Sequence, residues 1–399
     1  MALERLAYLP FRAIVSKLKV MTVFGTRPDT IKMAPVVRAL AAHPQIEPLV
    51  CVTAQHREML DDLLALFTIE PHYDLDIMTA DQTLTQITTR VLEGMEPVLA
   101  RARPDVVLVH GDTTTSTSAA LASFYAHLPV GHVEAGLRTS DRWLPFPEEM
   151  NRRITGTIAS YHFSPTQLAK RHLLQENVKS EDIIVTGNTV IDAFLGTARR
   201  TDLPRPPGWE RLDPERPIVA VTAHRRENHP HMVEICEAMR AIAELPMHPQ
   251  IYWPVHPSPR VRPVAHRLLG GVPGVVLVEP VNYAEMVAAV ASCSFVLTDS
   301  GGLQEEAPCL AKPVLVMREE TERPEGLEAG TLELVGPNGA RIFEAARRLL
   351  TDRAAYDRMA QANNPYGDGR AAQRIVAWLL ARLRGGSYPA PFGEGEAAP

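Results

Sequence analysis

The sequence predicts an α/β protein built from two doubly wound domains that face each other across a cleft. Short runs rich in valine, isoleucine and leucine, as at 105–110, alternate with helix-length stretches, as at 119–128. Nearly continuous apolar runs of this kind are typical of strands buried on both faces of a parallel sheet. Because the alternation occurs twice along 399 residues, each half is predicted to form its own Rossmann-like domain.

The predicted strands fall into two series separated by a proline-rich stretch. The first series comprises 18–24, 48–53, 105–110, 130–133, 161–164 and 182–187, and the second comprises 217–224, 251–256, 274–279, 294–299, 313–317 and 332–336. Residues 198–217 contain five prolines and little apolar periodicity, which is typical of a linker. The pattern predicts an N-terminal domain over 18–195, a linker over 196–216 and a C-terminal domain over 217–369.

The two ends of the chain lie outside this pattern. Residues 1–17 scatter Arg5, Arg12 and Lys17 among short apolar pieces, without the continuous core of a signal peptide, and are interpreted as an N-terminal extension. A final helix is predicted at about 370–384. The segment 385–399 is rich in glycine, proline and alanine and is predicted to be disordered.

Composition restricts the class of protein. A formal net charge of −6 gives no global electrostatic case for a nucleic-acid partner. The four cysteines form no CxxC pair, which is typical of reduced cysteines in a cytoplasmic protein, and no apolar run approaches the roughly 18–20 residues that span a membrane. The histidines and carboxylates lack the spacing of metal sites such as HExxH, so no metal is predicted.

An irregular segment at 132–153 concentrates ionisable side chains. It places Glu134, Asp141, Glu148 and Glu149 among four arginines, and glycine, proline and serine interrupt any helical or strand period. Carboxylates crowded into an irregular segment suggest acid–base chemistry. A solvated charged loop explains the same composition equally well, so the segment by itself leaves both interpretations open.

Further candidates follow predicted strands, whose carboxyl ends face ligands in doubly wound domains. Gly25 permits a tight turn into a helix whose free N–H groups, together with Arg27 and Lys32, favour an anion such as phosphate. Asp112 either caps the next helix or faces the cleft as an acid or base. His224 lies beside two arginines where the two domains are expected to face each other.

The second domain offers a glycine-containing strand end. Ser300 precedes Gly301 and Gly302, which let a ligand approach the backbone, and the serine hydroxyl with the helix N–H groups favours phosphate. Glu306 is placed to bind ribose hydroxyls, with a plain acidic helix start as the alternative. Arg323 either clamps phosphate or orders an acidic loop. These candidates predict a nucleotide-like ligand in the second domain and acid–base groups from the first.

A set of motifs, in this order, resembles those of the bacterial non-hydrolysing UDP-N-acetylglucosamine 2-epimerases. The motifs are FGTRPDTIKMAP, VTAQHREML, VLVHGDTTT, VGHVEAGLRT, PEEMNRR, TGNTVIDA, HRREN, TDSGGLQEEAP, KPVLVMREETERPE and NPYGDG. The similarity runs from about residue 18 to about residue 383. It implies the GT-B fold, with the C-terminal helix crossing back to the first domain. It also implies a homodimer that interconverts UDP-GlcNAc and UDP-ManNAc without a redox cofactor or metal.

The resemblance implies roles for the candidate residues. The acid–base set is Asp112, Glu134 and Glu148, and His224 contacts UDP and assists the leaving group. The substrate-binding residues are Arg27, Lys32, Met286, Ser300, Gly301, Gly302, Glu306 and Arg323, with Met286 standing where an aromatic residue often contacts the uracil.

Bacterial members of this family also bind a second UDP-GlcNAc as an allosteric activator. The matching positions here are Gln55, His56, Arg225 and His256. Two departures weaken the match, because Glu58 stands where glutamine is common and the sequence HPSP replaces the more usual HxNP around His256.

The chemistry that the resemblance implies is an elimination followed by an addition. The C2 proton of the sugar is weakly acidic because no carbonyl adjoins it, so loss of UDP to give 2-acetamidoglucal, and re-addition of UDP, is the expected route. The product would supply ManNAc-type sugars for surface polysaccharides. The alternatives are a GT-B glycosyltransferase, a hydrolysing epimerase, an epimerase of a more decorated UDP-sugar and a non-catalytic UDP-sugar sensor.

Overall fold

A computed structural model describes residues 16–55, 57–139 and 141–393, and the first of its two sheets is wholly parallel. Its strands are β1 (Leu18–Phe24), β2 (Ile46–Val52), β3 (Tyr73–Asp74), β4 (Val106–His110), β5 (Val130–Val133), β6 (Tyr161–Ser164) and β7 (Ile183–Val185). They lie in the order β3-β2-β1-β4-β5-β6-β7. The helices of this first domain are α1 (Arg27–Ala42), α2 (Arg57–Phe67), α3 (Leu84–Ala102), α4 (Thr114–Tyr125), α5 (Glu148–Ile158), α6 (Gln167–Gln175) and α7 (Thr189–Ala198).

The second sheet is also parallel and forms the second domain. Its strands are β8 (Ile218–Thr222), β9 (Gln250–Pro254), β10 (Val275–Val278), β11 (Phe295–Thr298), β12 (Val314–Val316) and β13 (Leu332–Leu334), in the order β10-β9-β8-β11-β12-β13. The remaining helices are α8 (Met232–Ala243), α9 (Arg262–Leu269), α10 (Tyr283–Ser292), α11 (Gly301–Glu306), α12 (Pro324–Ala329), α13 (Gly339–Thr351), α14 (Arg353–Ala360) and α15 (Ala371–Arg384). The predicted α/β architecture with two doubly wound GT-B domains is confirmed.

Apolar strands explain why both sheets are covered on their two faces. Every residue of β4 is buried, and β1 is buried except at Lys19. Side chains of a strand alternate between faces, so a strand that is apolar throughout requires helices on both sides. The short strand β3 at the edge of the first sheet was not predicted, because two residues carry no readable alternation.

The chain order reverses once in each sheet, and these reversals decide where a ligand can bind. β1 lies between β2 and β4 in the first sheet, and β8 lies between β9 and β11 in the second. Loops leaving neighbouring strands in opposite directions open a crevice at the carboxyl edge. The segments after β1, β4, β8 and β11 therefore line the two facing crevices.

The last helix packs on the first domain although it follows the second. Trp378 of α15 meets Tyr161 and Phe163 edge-on, at ring-centroid distances of 5.2 and 5.5 Å. The carboxylate of Asp192 in α7 accepts the first N–H groups of α15, from Ala371 and Ala372 at 3.1 and 2.8 Å. This helix thus fastens the end of the second domain to the first.

The segment after α15 differs from the expected disordered tail over 385–393. Tyr388 packs against Trp378 at 5.9 Å, the N–H of Phe392 donates to the Val185 carbonyl at 2.8 Å, and Arg374 lies over the Phe392 ring. Two aromatic residues among the small ones supply the apolar contacts that glycine and alanine lack. Residues 394–399, and 1–15 of the predicted extension, lie outside the described part of the chain.

The longest of the described helices is α3, which has 19 residues and is amphipathic. None of them combines the length and the apolar composition that crossing a bilayer requires.

Candidate active site

A cleft of about 590 Å³ lies between the two crevices. Its lining comes from both domains and includes Arg27, Ile31, Phe194, His224, His256, Met286, Ser300, Gly302 and Glu306. The predicted strand-end candidates of the second domain therefore share one cleft with the start of α1. A smaller cavity of about 250 Å³ adjoins the same interface and is lined by Arg138, Arg152, Asn188, Glu305 and Arg323, among others.

The Glu134 carboxylate of the first domain is close to three other polar side chains. Glu134 follows β5, is 8% exposed, and adopts a left-handed backbone with φ of 63°, which costs a non-glycine residue about 1–2 kcal/mol. Its Oε2 accepts hydrogen bonds from Lys32 Nζ at 2.5 Å and Asn188 Nδ2 at 2.9 Å, and His110 Nε2 lies 3.8 Å away. The surrounding contacts thus hold a strained residue with its carboxylate between two cations.

The charges around Glu134 set its protonation state. Burial works to raise the pKa of Glu134, but Lys32 and His110 outweigh it and hold the pKa well below its usual value. Burial likewise opposes the charge on His110, yet Glu134 and the hydrogen bond that His110 Nδ1 donates to Asp29 Oδ1 at 3.3 Å raise the pKa of His110 to about 9. Glu134 is therefore an ionised carboxylate in a buried site, which is the state that accepts a proton.

Asp112 lies in the segment between β4 and α4. Its carboxylate pairs with Arg152 at 2.8 Å, and its carbonyl accepts a hydrogen bond from Asn151. Burial raises the pKa of Asp112, and Arg152 opposes the shift. The side chain that caps α4 is that of Thr113, which accepts the N–H of Ser116. The capping alternative for Asp112 is therefore wrong, because the cap lies one residue further along.

The two adjacent glutamates at the start of α5 have different surroundings. Glu149 is fully buried and is held by Arg152, Arg153 and the N–H of Thr139, at 3.2, 2.8 and 3.1 Å. Glu148 is half-buried, and its buried Oε2 has no hydrogen-bond partner among the described residues. A buried polar atom without a partner is costly unless a ligand satisfies it. Glu149 is thus a structural anchor, and Glu148 is free to meet a ligand.

The start of α1 has a similar unused group. Thr26 precedes the helix, is 4% exposed, and its Oγ1 has no hydrogen-bond partner in the described ranges. Arg27 is exposed beside it and lines the cleft, while Pro28 occupies the first turn. Free N–H groups, a hydroxyl and a cation at one helix start provide a site that suits an anionic ligand.

Asp299 organises the strand ends of the second domain. This fully buried carboxylate accepts N–H groups of His224 and Arg225, both at 2.8 Å, and lies 2.9 Å from His224 Nδ1. Burial works to raise the pKa of Asp299, but the hydrogen bond and charge of His224 lower it overall. With Nδ1 held by Asp299, the Nε2 atom of His224 is the one left for a ligand.

The glycine-containing turn lies next to these groups. α11 begins at Gly301, and Ser300 makes no side-chain hydrogen bond to cap it. Glu306 lines the cleft, and burial together with the charge of Glu305 raises the pKa of Glu306 to about 7, against the opposing effects of Lys32 and Arg27. The Ser300 hydroxyl and the Glu306 carboxyl are thus both available inside the cleft.

Arg323 binds a carboxylate of its own domain. Its Nε donates to Oε1 of Glu305, whose other oxygen, Oε2, accepts Asn188 Nδ2 of the first domain at 2.7 Å. Of the two predicted roles, phosphate clamp or loop-ordering group, the contact in the structure is with Glu305. The guanidinium still lines the smaller cavity between the domains.

Three of the four residues matched to an allosteric site lie in the described part of the chain. The His256 ring stacks on that of His224 at 5.8 Å, Arg225 Nε donates to the Asp299 carbonyl, and Gln55 Oε1 accepts from Thr115 Oγ1. His56 lies outside the described residues. These contacts bring Arg225 and His256 beside the candidate site, and place Gln55 near α4.

The site also contains four residues that were not predicted: Asp29, His110, Asn188 and Glu305. All four are buried and hydrogen-bonded to a candidate residue or to one another. Each of the four lies inside a motif quoted above. Their positions, at the end of a strand or beside a predicted site residue, could have identified them. Across the described ranges, no group of three or more histidines, cysteines and carboxylates is placed to hold a metal ion.

Comparisons with known proteins agree with this geometry. The family model described as UDP-N-acetylglucosamine 2-epimerase matches residues 38–380. The UDP-N-acetylglucosamine 2-epimerase of Escherichia coli O157:H7 is 53% identical over 91% of this chain and 98% of its own, and that of Bacillus subtilis is 51% identical over 92% and 96%. The crystal structure of UDP-GlcNAc 2-epimerase from Neisseria meningitidis bound to UDP-GlcNAc is 45% identical, covers 91% of this chain and all of its own, and superposes with a TM-score of 0.81. The chain therefore belongs to the UDP-N-acetylglucosamine 2-epimerase family.

Proposed function

We propose that this protein interconverts UDP-GlcNAc and UDP-ManNAc in the cytoplasm by inverting C2 of the sugar. The observation that carries the proposal is a cleft lined by Arg27 from one domain and by His224 and Ser300 from the other. Beside it stands the buried, ionised Glu134, which Asn188 links to Glu305 across the domain interface. The similarity to proteins named UDP-N-acetylglucosamine 2-epimerase supports UDP-GlcNAc as the substrate. The four cysteines are free thiols, which fits a reducing compartment.

The reaction is an elimination followed by the reverse addition. The C1–O bond to UDP breaks and the C2 proton passes to a carboxylate, giving 2-acetamidoglucal and UDP. The UDP oxygen then adds back to C1 while a proton is delivered to the opposite face of C2. A single fixed group cannot serve both faces, so two or more carboxylates with different pKa values are needed.

The charges around the carboxylates support a division of the proton-transfer roles. Glu134, held ionised by Lys32 and His110, is suited to accept the C2 proton. Burial raises the pKa of Asp112, which suits it to carry the proton that is returned. Glu148, with one buried oxygen unused, is the third group available to the sugar. A diphosphate that draws Lys32 away would also make Glu134 a stronger base, because it would remove the cation that lowers its pKa.

UDP must be held while it is detached from the sugar. Arg27 and the start of α1 approach the diphosphate from the first domain, and Ser300, Gly301 and Gly302 approach it from the second. Glu306 binds the ribose, and Met286 packs against the uracil. His224, fixed by Asp299, donates to the departing diphosphate through Nε2. Arg323 supports this pocket through Glu305.

The deciding experiment is NMR of UDP-GlcNAc incubated with the protein in D2O. We expect UDP-ManNAc with deuterium at C2, because the proton lost in elimination is replaced from solvent. Retention of the original hydrogen in the product would contradict the elimination. Free ManNAc would indicate a hydrolysing epimerase, while unchanged UDP-GlcNAc would leave a glycosyltransferase, a sensor or an enzyme for a more decorated UDP-sugar.

A second copy of the chain is part of the proposal. Phe124 and Tyr125 of α4 are 57% and 68% exposed, beside a cleft of about 620 Å³ between α3 and α4. Large exposed aromatic residues next to an apolar cleft are typical of a protein interface. Analytical ultracentrifugation should show a dimer, and Phe124→Asp with Tyr125→Asp should give a monomer. A monomeric wild-type protein would exclude the dimer.

We also propose that UDP-GlcNAc activates the protein by binding beside the cleft that holds His224. Arg225 and His256 lie beside His224, and Gln55 lies on the first-domain side. We expect the rate to depend sigmoidally on the UDP-GlcNAc concentration, because the second molecule favours closure. Gln55→Ala should make the dependence hyperbolic. A hyperbolic dependence of the wild-type protein would show that activation is absent.

A further inference from the structure

Asn188 stands where the two domains meet, and its side chain contacts a carboxylate from each. Its Nδ2 donates to Glu134 Oε2 of the first domain at 2.9 Å and to Glu305 Oε2 of the second at 2.7 Å. The residue is 3% exposed. Two hydrogen bonds from one amide to two buried carboxylates of different domains form a bridge across the interface.

The orientation of the amide is fixed by a third contact. Asn188 Oδ1 accepts the N–H of Val190 at 3.1 Å, which caps α7, so only the NH₂ group can face the carboxylates. The opposite orientation would place an oxygen against two anions. The Asn188 N–H also donates to the Tyr366 carbonyl at 2.7 Å. The donor is therefore aimed by the backbone and uses both of its hydrogens.

The bridge is part of a longer series of ion pairs and hydrogen bonds. It runs from Lys32 through Glu134 to Asn188, and then through Glu305 to Arg323. The first three residues belong to the first domain and the last two to the second. If the domains separate, Glu305 moves away with Arg323, and Asn188 keeps only one of its two acceptors.

We propose that Asn188 is a positioning residue that couples closure of the two domains to the placement of the Glu134 carboxylate. The inference rests on the proposed function, in which Glu134 accepts the C2 proton. Closure supplies Glu305 as the second acceptor and fixes the amide, and the amide then fixes Oε2 of Glu134. Reacting groups must be held within a fraction of an ångström, so a movable bridge of this kind controls the rate.

Asn188→Ser separates the bridge from the helix cap. Serine is also a good N-cap residue, so α7 keeps its cap, but the hydroxyl cannot reach both carboxylates. The matched control is Glu325→Ala, which removes the 3.0 Å hydrogen bond from Thr166 Oγ1, another contact between the domains that does not touch Glu134. Thermal unfolding of Glu325→Ala should stay close to that of the wild-type protein. Asn188→Ser should unfold at a lower temperature, because two buried carboxylates lose a donor, and it is assayed below that temperature.

We expect Asn188→Ser to lower kcat by about 10- to 100-fold, the loss typical of a hydrogen bond to a charged group, with KM changed by less than about 3-fold. The acid limb of the kcat–pH profile should move to higher pH, because a donor to the ionised form of Glu134 is lost. The substitution leaves the other titratable and charged groups around Glu134 unchanged. They are Lys32, His110, Asp112, Glu305 and Arg323. Glu325→Ala should leave kcat and the acid limb unchanged.

Closure is measured independently of turnover by small-angle X-ray scattering of the full chain with and without UDP. We expect UDP to reduce the radius of gyration of the wild-type protein and of Glu325→Ala, and to reduce it less for Asn188→Ser. Unchanged kcat in Asn188→Ser, or full compaction of this variant with UDP, would overturn the inference. If the wild-type protein shows no epimerisation, the proposed function fails, and the scattering comparison alone decides whether Asn188 controls closure.

Discussion

The two sides of the cleft differ in how exposed the side chains are that would meet a ligand. On the first-domain side, the buried Glu134 pairs with Lys32 at 2.5 Å, and the partly buried Asp112 pairs with Arg152 at 2.8 Å. On the second-domain side, His224 is 40% exposed and glycines border the open space. Buried ion pairs pay a large desolvation cost and are seldom used for stability alone. The difference teaches that one domain prepares reactive groups, while the other offers a surface to which a nucleotide can bind and from which it can leave.

The strongest test of this comparison is the loss of Glu134 as a base. Glu134→Gln keeps the shape of the side chain but removes the charge, so kcat should fall by about 100- to 10 000-fold, while the Kd for UDP changes by less than about 3-fold. Turnover and calorimetric titration with UDP measure the two quantities. Asp141→Asn is the control, because Asp141 is an exposed carboxylate of the same segment. A wild-type rate in Glu134→Gln would remove Glu134 from the mechanism.

The second test concerns Glu306, a carboxyl of the second-domain side whose pKa is raised by burial and by the charge of Glu305. Its pKa is about 7 in the folded protein and about 4.5 in the unfolded chain, so the folded state binds the proton more tightly. The free energy of unfolding should therefore fall as pH rises from 4.5 to 7, by up to roughly 3 kcal/mol, and stay level above pH 7. Glu306→Gln should lack this loss.

Urea unfolding of the wild-type protein and Glu306→Gln at pH 5 and pH 8 measures this effect. The advantage of the variant over the wild-type protein should be larger at pH 8, because only there does the wild-type protein carry the buried charge. An equal difference at both values would show that Glu306 is ionised at pH 5 in the folded state. The comparison is made without UDP, since a ligand would add its own pH dependence.

The third test concerns a loss of UDP affinity, whereas the first concerns a loss of turnover. His224→Ala should weaken UDP binding by about 10-fold, because a hydrogen bond to a charged diphosphate is removed from the second-domain side. Calorimetric titration checks this value, and His266→Ala on the exposed side of α9 is the control. Unchanged UDP affinity together with a large loss of kcat would place His224 with the acid–base groups, and would contradict the division between the two sides.

The smallest effect is expected at Met286, which lines the cleft with a flexible apolar side chain. Met286→Phe should tighten UDP binding by about 3-fold, because a rigid ring stacks on a base more favourably than a thioether does. The same titration measures it, with uridine as the ligand that isolates the base and ribose. Weaker binding of uridine by the variant would show that Met286 does not face the uracil.

The candidate site was predictable to the extent that it follows from strand ends. Arg27, Asp112, His224 and Ser300 each come directly after an apolar strand, and the carboxyl ends of parallel strands meet at one edge. The disordered tail was predicted from composition alone, and Phe392 and Tyr388 show why this failed over 385–393: single aromatic residues find partners that an average over a segment conceals.

Apolar periodicity was sufficient to predict the two parallel sheets and the strand-end candidates, and the ordered motifs were sufficient to predict the family. Local patterns suffice for these because apolar periodicity and turn residues act over a few positions. Only the tertiary structure decided that Glu149 is a buried anchor while Glu148 has an unused oxygen, and that Asn188 joins Glu134 and Glu305, which are 54 and 117 positions away. The roles of identical side chains depend on burial and on distant partners, and these arise only when the chain has folded.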